Sequence, residues 1–335
     1  MRAVALGGGH GLHATLSALR RITTDVTAVV TVADDGGSSG RLRRELGVLP
    51  PGDLRQALSA LAEATDSDAL WARVFQRRFG GSGALAGHAV GNLLLAGLFE
   101  EVGDPVRALD EACALLGLRG RVLPMSVDPL CIEAEVSGLN GGDELHTIRG
   151  QVAVASTPGR VRRISLHNAL DRTSPPQACP AAVAAVLDAD VVLLGPGSWF
   201  TSVLVHLLLR DLHDALVRTN AKKVVVLNLV PQPGETAGFS PEQHLDVLCL
   251  QAPELKVDAV IADRGSVPTP ARLHRAAAGI GAQALLTDVA DPSGVGTHAP
   301  DALAASVREA LGIGGAGRTL AQQMRKPTPL EGPWR

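Results

Sequence analysis

The chain contains no tyrosine, and aromatic residues make up only 2% of its 335 residues. A protein that grips single-stranded nucleic acid by stacking needs more aromatic surface than that. The formal net charge is -3, so attraction toward a polyanion is missing as well. Nucleic acid is therefore not an expected partner. Cysteine is scarce: Cys113, Cys131, Cys179 and Cys249 are far apart and form no C-x-x-C pair. This spacing predicts buried free thiols in a reducing cytoplasm. His10 and His13 have no cysteine or third histidine at matching spacing, which argues against zinc. No segment approaches the ~18 apolar residues of a membrane span. The opening MRAVALGGGHG has too short an apolar run for a signal peptide, so a cytoplasmic protein is expected.

What is present is an apolar, glycine-rich chain of alternating elements. Hydrophobic residues reach 46%, enough for a large core. Residues 2–6 read as a short strand, GGGHG at 7–11 breaks it, and Leu12, Leu16 and Leu19 then repeat at helical spacing. Residues 26–33 read as a second buried strand. Residues 41–117 are mostly helical, interrupted by Pro50-Pro51-Gly52 and by the glycine-rich 80–91 segment, GGSGALAGHAVG, which is flexible enough for a lid. Residues 121–167 change to short alternating runs with turn residues between them, the pattern of an antiparallel ribbon. Further strands are expected at 190–194, 223–228, 257–262 and 283–288, with helices at about 202–218, 240–252, 269–279 and 299–311.

The expected fold is a three-layer, Rossmann-like α/β/α domain over residues 1–311, with about six parallel strands and an inserted β ribbon at about 121–167. Residues 312–335 read as a flexible tail.

In such a sheet, ligands bind beyond the carboxyl ends of the strands. The stretch after the second strand, VTVADDGGSSGR at 30–41, is the most pointed. Asp34 and Asp35 stand side by side, which suits a divalent cation such as Mg²⁺ or the hydroxyls of a sugar. Asp53, after the Pro-Pro-Gly turn, offers a third carboxylate, and all three acids are candidate catalytic groups. Ser38, Ser39, Arg41 and Arg55 stand close by in sequence. The loop Gly8-Gly9-His10-Gly11 opens a helix, so its backbone N–H groups favour an anion. It has neither the Walker spacing nor that of G-x-G-x-x-G.

The loop GPGSWFTS repeats this logic. Gly195 and Gly197 permit close approach, Ser198 and Thr201 can donate to phosphate or cap a helix, and Trp199 is placed to stack on a base or enter the core. Asn228, Glu235 and Thr236 follow the next strand, and His88 and Asn92 share one face a helical turn apart. Glu235 and Thr236 could equally cap a helix or reach a ligand. No serine or cysteine is read as a nucleophile.

These residues carry a resemblance. GGGHGL at 7–12, VTVADDGGSSGRLR at 30–43, PPGDLRQAL at 50–58, AGHAVGNLLLAGL at 86–98, RGRVLP at 119–124, GPGSWFTS at 195–202 and QPGETAGF at 232–239 resemble the YvcK family. This is the bacterial gluconeogenesis factor group of the CofD-like superfamily, and the loop variants look like its actinobacterial branch.

The resemblance implies a cytoplasmic regulatory protein that binds a nucleotide-sugar of the UDP-GlcNAc type or a dinucleotide. It implies roles in peptidoglycan synthesis, cell shape and growth on gluconeogenic carbon. It also implies a Ser/Thr kinase acting on Thr319 or Thr328 of the tail; a homo-oligomer is a further expectation. The alternative is a Mg-dependent 2-phospho-L-lactate transferase of the CofD type, which serves coenzyme F420 synthesis. Arg55 stands where that branch has a second carboxylate, which argues against the transferase. The family's sugar-nucleotide contact through a tyrosine must also differ here; His274 and Arg275 occupy the corresponding helix.

Overall fold

The computed structural model describes residues 1–62, 69–139, 142–294 and 296–313. The tail from residue 314 on, with Thr319 and Thr328, lies outside the described residues. The chain opens with β1 (Arg2–Gly7), α1 (Gly9–Leu19) and β2 (Asp25–Val30). Five helices follow: α2 (Gly37–Leu46), α3 (Pro51–Ala62), α4 (Ala69–Gln76), α5 (Val90–Val102) and α6 (Pro105–Leu115). β3 (Arg121–Pro124) returns to the main sheet.

The insertion comes next, as β4 (Leu130–Ser137), β5 (His146–Arg149), α7 (Gln151–Ala155) and β6 (Arg160–Asn168). The second half runs α8 (Pro180–Leu187), β7 (Val191–Leu194), α9 (Arg210–Arg218), β8 (Lys222–Val226), α10 (Pro241–Gln251), β9 (Ala259–Asp263), α11 (Pro270–Gly279), β10 (Gln283–Thr287) and α12 (Pro300–Leu311).

The main sheet has seven strands in the order β10-β9-β8-β7-β1-β2-β3, all paired in parallel. Its central strand, β7, is apolar along its whole length, as a strand covered on both faces must be. Val191, Val192, Leu193 and Val29 are fully buried.

Six strands were expected and seven form. RVLP at 121–124, read as part of the ribbon, pairs with β2 and becomes the sheet's edge. A four-residue apolar run has no period that separates an edge strand from a ribbon strand. The ribbon itself is a three-stranded antiparallel sheet in the order β5-β4-β6.

The helix expected at 202–218 is also broken. A π-turn over Trp199–Val203 and a 3₁₀ turn over Leu204–Leu208 precede α9. Among the cysteines, Cys113 and Cys179 are buried free thiols as expected, whereas Cys131 is half-buried and Cys249 exposed. No helix among the described residues is long and apolar enough to cross a membrane.

Candidate functional site

The sheet switches direction between β1 and β7. From β1 the chain moves outward to β2, whereas from β7 it moves the other way to β8, β9 and β10. Loops leaving neighbouring strands in opposite directions open a crevice at their carboxyl ends. Here the crevice is pinched by two glycine loops. A Cβ on Gly11 would lie 2.1 Å from the Pro196 carbonyl oxygen, so only glycine lets the β1 and β7 loops meet.

On either side of the pinch lies a cavity, one of about 480 Å³ and one of about 420 Å³. His10, Gly11, Gly197 and Gln232 line both. α1 begins at the pinch with neither a side-chain cap nor an acidic residue in its first turn. Asp53 takes the first of its N–H groups, that of Gly9, which leaves those of His10 and Gly11 to face an anion.

The larger cavity holds the acids, and it separates the two neighbours. Asp34 lines it; Asp35 does not. Asp34 Oδ1 accepts the Gly36 N–H at 2.9 Å and the Ser39 side chain also bonds this carboxylate. Asp35 Oδ1 instead accepts the Val152 N–H at 3.1 Å, tethering the ribbon's helix α7. Successive side chains of extended backbone point to opposite sides, so one acid reaches the cleft and the other the insertion.

The cleft partner of Asp34 is Asp53, in the first turn of α3. Its carboxylate turns to the β1 loop and accepts the Gly9 N–H. Burial, reinforced by the Asp34 charge, pushes the Asp53 carboxyl up to about 7. Burial likewise raises Asp34 above the usual carboxylate range. The Mg²⁺ expectation at Asp34 and Asp35 therefore moves to Asp34 and Asp53. Among the described residues no cluster of three acidic, histidine or cysteine side chains could hold a metal. A cation here would need phosphate oxygens and waters to complete its shell, which is usual for Mg²⁺.

Several expected ligand contacts are scaffolding. Ser38 Oγ lies 2.9 Å from His88 Nδ1 and accepts from Asn92 Nδ2 at 2.9 Å. Arg55 Nε donates to Asn92 Oδ1 at 2.8 Å, and its guanidinium also bonds Gln76. This buried network ties α2, α3, α4 and α5 together and lines neither cavity. Gly36–Gly40 does spell G-x-S-x-G, but Ser38 is enclosed between His88 and Asn92, so the likeness to a nucleophile elbow is formal. Arg41 donates to the Ala86 carbonyl at 2.9 Å, away from the cleft.

The lid expected at residues 80–91 lines neither cavity; its base is pinned by Phe79–His88 and Val90–Arg77 backbone bonds. Trp199 is fully buried, edge-on to His244, and so cannot stack on a ligand. Glu235 accepts the Phe200 and Thr201 N–H groups at 2.8 and 3.3 Å and the Thr201 hydroxyl, capping the turn after β7. Thr236 Oγ1 accepts the Gln232 N–H at 2.9 Å. Asn228 does reach the cleft: it accepts from the Gly197 N–H and donates to the Gly197 carbonyl, each at 2.8 Å. Gly195 lies behind the pinch, where a Cβ would meet the Val226 carbonyl at 2.8 Å.

Gly8, Gly9, Ser198 and Thr201 complete the expected lining. Side chains that escaped the sequence reading are Gln56, Gln151, Ser156 and Gln232 in the larger cavity and Ser17, Arg20, Arg21, Thr297 and His298 in the smaller. Gln56 had a signal, since it stands one turn after Asp53 on α3. Gln151 and Ser156 had none, because they arrive on an insertion whose docking the sequence does not announce. α7 roofs the cleft: a Cβ on Gly234 would sit 2.0 Å from the Ala155 carbonyl oxygen. His274 and Arg275, on α11, line neither cavity.

Comparison with known proteins agrees with this architecture. Residues 3–298 match the family model described as 2-phospho-L-lactate transferase CofD. Proteins of Mycobacterium tuberculosis and Mycobacterium leprae, provisionally named gluconeogenesis factors, are 57% and 56% identical over 306 and 308 residues. Those alignments cover 90% and 91% of this chain and 88% and 84% of the relatives. A Nostoc protein of the same name is 39% identical over 78% of this chain and 55% of its own length. A crystal structure of a UPF0052-family protein from Bacillus halodurans superposes with a TM-score of 0.80 at 30% identity, covering 91% of this chain and 98% of that one.

Proposed function

Since the chain belongs to the CofD family, and within it to the gluconeogenesis factor (YvcK) group, we propose that it is a nucleotide-sugar-binding regulatory protein. Its ligand, of the UDP-GlcNAc type, lies across the pinch between β1 and β7. Through that ligand the protein adjusts cell-wall precursor supply, and with it cell shape, during gluconeogenic growth.

One observation carries this reading: two cavities, of about 480 and 420 Å³, joined at a glycine pinch where a helix begins with no side-chain cap of its own. A nucleotide-sugar has that form, with two bulky ends and a diphosphate between them. The diphosphate takes the α1 N-terminus, and the sugar hydroxyls donate to Asp34 and Asp53. The volumes fall within the ~300–1,000 Å³ usual for such ligands.

A second reading keeps the transferase chemistry of the family model's name. The Asp53 carboxyl, pushed up to about 7, could exchange a proton near neutral pH. Together with Asp34 and phosphate oxygens it could also hold Mg²⁺, which would neutralise charge on a transferred phospho-group.

Calorimetry with UDP-GlcNAc, UDP-glucose, GDP and NAD, each with and without Mg²⁺, separates the two. Saturable binding of a UDP-sugar without nucleotide release is expected. Absence of heat with all four overturns the binding reading. Mg²⁺-dependent nucleotide release that Asp53→Asn abolishes favours the transferase.

A further inference from the structure

Another cavity, of about 390 Å³, lies between the ribbon and the loop that follows β8. Arg160 and Arg162 of β6 line it together with Asp143, and the loop contributes Glu235 and Phe239.

The two arginines are prepared for a ligand. Arg162 is the extra residue of a β-bulge: Val136 pairs with Val161 and Glu135 with Arg163, which leaves Arg162 between them. A bulge re-aims the side chain that it carries. The buried Ser137 then holds the guanidinium, its hydroxyl accepting from Arg162 Nε at 2.8 Å. Neither Arg160 nor Arg162 has a carboxylate partner among the described residues. Two like charges on one cavity repel each other, and an anion between them removes that cost.

The acids beside them do not supply the anion. Both carboxylate oxygens of Glu235 are taken by the Phe200 and Thr201 N–H groups and the Thr201 hydroxyl. Asp143 forms no ion pair among the described residues, so it is left to accept from a neutral donor.

We infer that this cavity binds a phosphate monoester of a small hydroxylated molecule, of sugar-phosphate size. The phosphate pairs with Arg160 and Arg162, whose planar forks suit its oxygens. Asp143 accepts from a hydroxyl, and the half-buried Phe239 lies against the carbon skeleton. A ligand seated so ties the ribbon to the loop. The same loop meets α7, the roof of the cleft, at the close approach of Gly234 to the Ala155 carbonyl. Ala155 and Ser156 line the larger cleft cavity, so the ligand steadies that roof whatever the cleft itself binds.

Calorimetry of the full chain with glucose 6-phosphate, inorganic phosphate and glucose tests this, with no nucleotide present, so its outcome is separate from that of the nucleotide-sugar reading. Glucose 6-phosphate should bind saturably, with a Kd of ~0.3 mM for a ligand of its size. Inorganic phosphate should bind about 10-fold more weakly, and glucose should give no heat. Arg160→Ala and Arg162→Ala should each weaken glucose 6-phosphate about 10-fold. Arg163→Ala, on the next residue of β6 but outside the cavity lining, should leave it unchanged. Asp143→Ala should weaken glucose 6-phosphate without weakening inorganic phosphate. All four side chains are exposed, so thermal midpoints near wild type separate lost binding from lost fold. Bound glucose 6-phosphate should also slow amide exchange along α7. Absence of glucose 6-phosphate binding overturns the proposal. So does binding that both Arg160→Ala and Arg162→Ala leave intact, which would put the phosphate at the α1 N-terminus, or a sugar phosphate that binds no more tightly than inorganic phosphate.

Discussion

Two glycine-rich loops read alike in the sequence and behave in opposite ways. GGGHG at 7–11 and GGSGALAG at 80–87 are both runs of small residues after an apolar element. In the first, added side chains collide. Gly11 would strike the Pro196 carbonyl oxygen at 2.1 Å, and Gly8 would meet Thr31 Cγ2 at 2.6 Å and Asp53 Oδ2 at 2.8 Å. In the second, Cβ atoms on Gly80, Gly81, Gly83 and Gly87 would meet nothing within 4 Å. Glycine thus serves close packing at the cleft and turn-making at the surface. The distinction lies in contacts between residues some 185 positions apart, which local composition does not carry.

The sharpest way to break this comparison is Gly11→Ala. A methyl group cannot fit 2.1 Å from a backbone oxygen, so the β1 and β7 loops must separate. The expected loss is about 3 kcal/mol of stability, the upper end for overpacking. Ligand binding should fail with it, because the pinch positions both cavities. Chemical denaturation and calorimetry on one preparation check both parts. Wild-type stability in this variant would mean that the loops are not in contact.

The next largest effect separates Asp53 from the surface acids. Its folded carboxyl titrates at about 7, against 3.8 when unfolded. Between those values the unfolded chain gives up a proton that the folded chain keeps. Stability from this group is therefore full below about pH 4, falls as pH rises, and levels off above about 7. Asp53→Asn cannot titrate, so the wild-type-minus-variant difference should fall across that interval, with ~4 kcal/mol as its ceiling. Urea midpoints at a series of pH values measure it. A flat difference would show that Asp53 is ionised and compensated throughout.

Much of the fold could be read before the structure. The six expected strands 2–6, 26–33, 190–194, 223–228, 257–262 and 283–288 each fall on a strand of the sheet, because a parallel core favours short apolar runs. Their carboxyl ends then located the cleft. What could not be read was which neighbour of each pair faces it. Asp34 and Asp35 differ only by the alternation of extended backbone, and Asp35's partner, Val152, lies 117 residues away. His88, Asn92 and Arg55 read as ligand groups because a fully satisfied buried network and a binding site use the same residue types. Trp199 read both as a stacking platform and as a core residue, because an aromatic after a glycine loop carries no sign of whether it turns outward or into the core.

A smaller effect tests the division of labour between the two acids. Asp35→Ala removes the acceptor for the Val152 N–H and should cost about 1 kcal/mol. Amide exchange should accelerate at Val152 and along α7, while the Asp53 titration stays in place. Unchanged exchange at α7 would mean that other contacts hold the roof of the cleft.

The smallest effect is the most diagnostic, because its sign is opposite to that of Gly11→Ala. Gly83 is exposed, its φ lies outside the left-handed region, and its Cβ position is empty. Alanine there meets no clash and narrows the unfolded ensemble, so Gly83→Ala should raise stability by a few tenths of a kcal/mol, up to about 0.5. Gly81, two residues earlier, has a φ of +85°, and Gly81→Ala should instead cost about 1 kcal/mol although its surroundings are equally open. Thermal midpoints of the three alanine variants thus separate contact, backbone strain and chain entropy. If Gly83→Ala destabilised the protein as Gly11→Ala does, the surface loop would be a packed element, and the contrast between the two glycine loops would be lost.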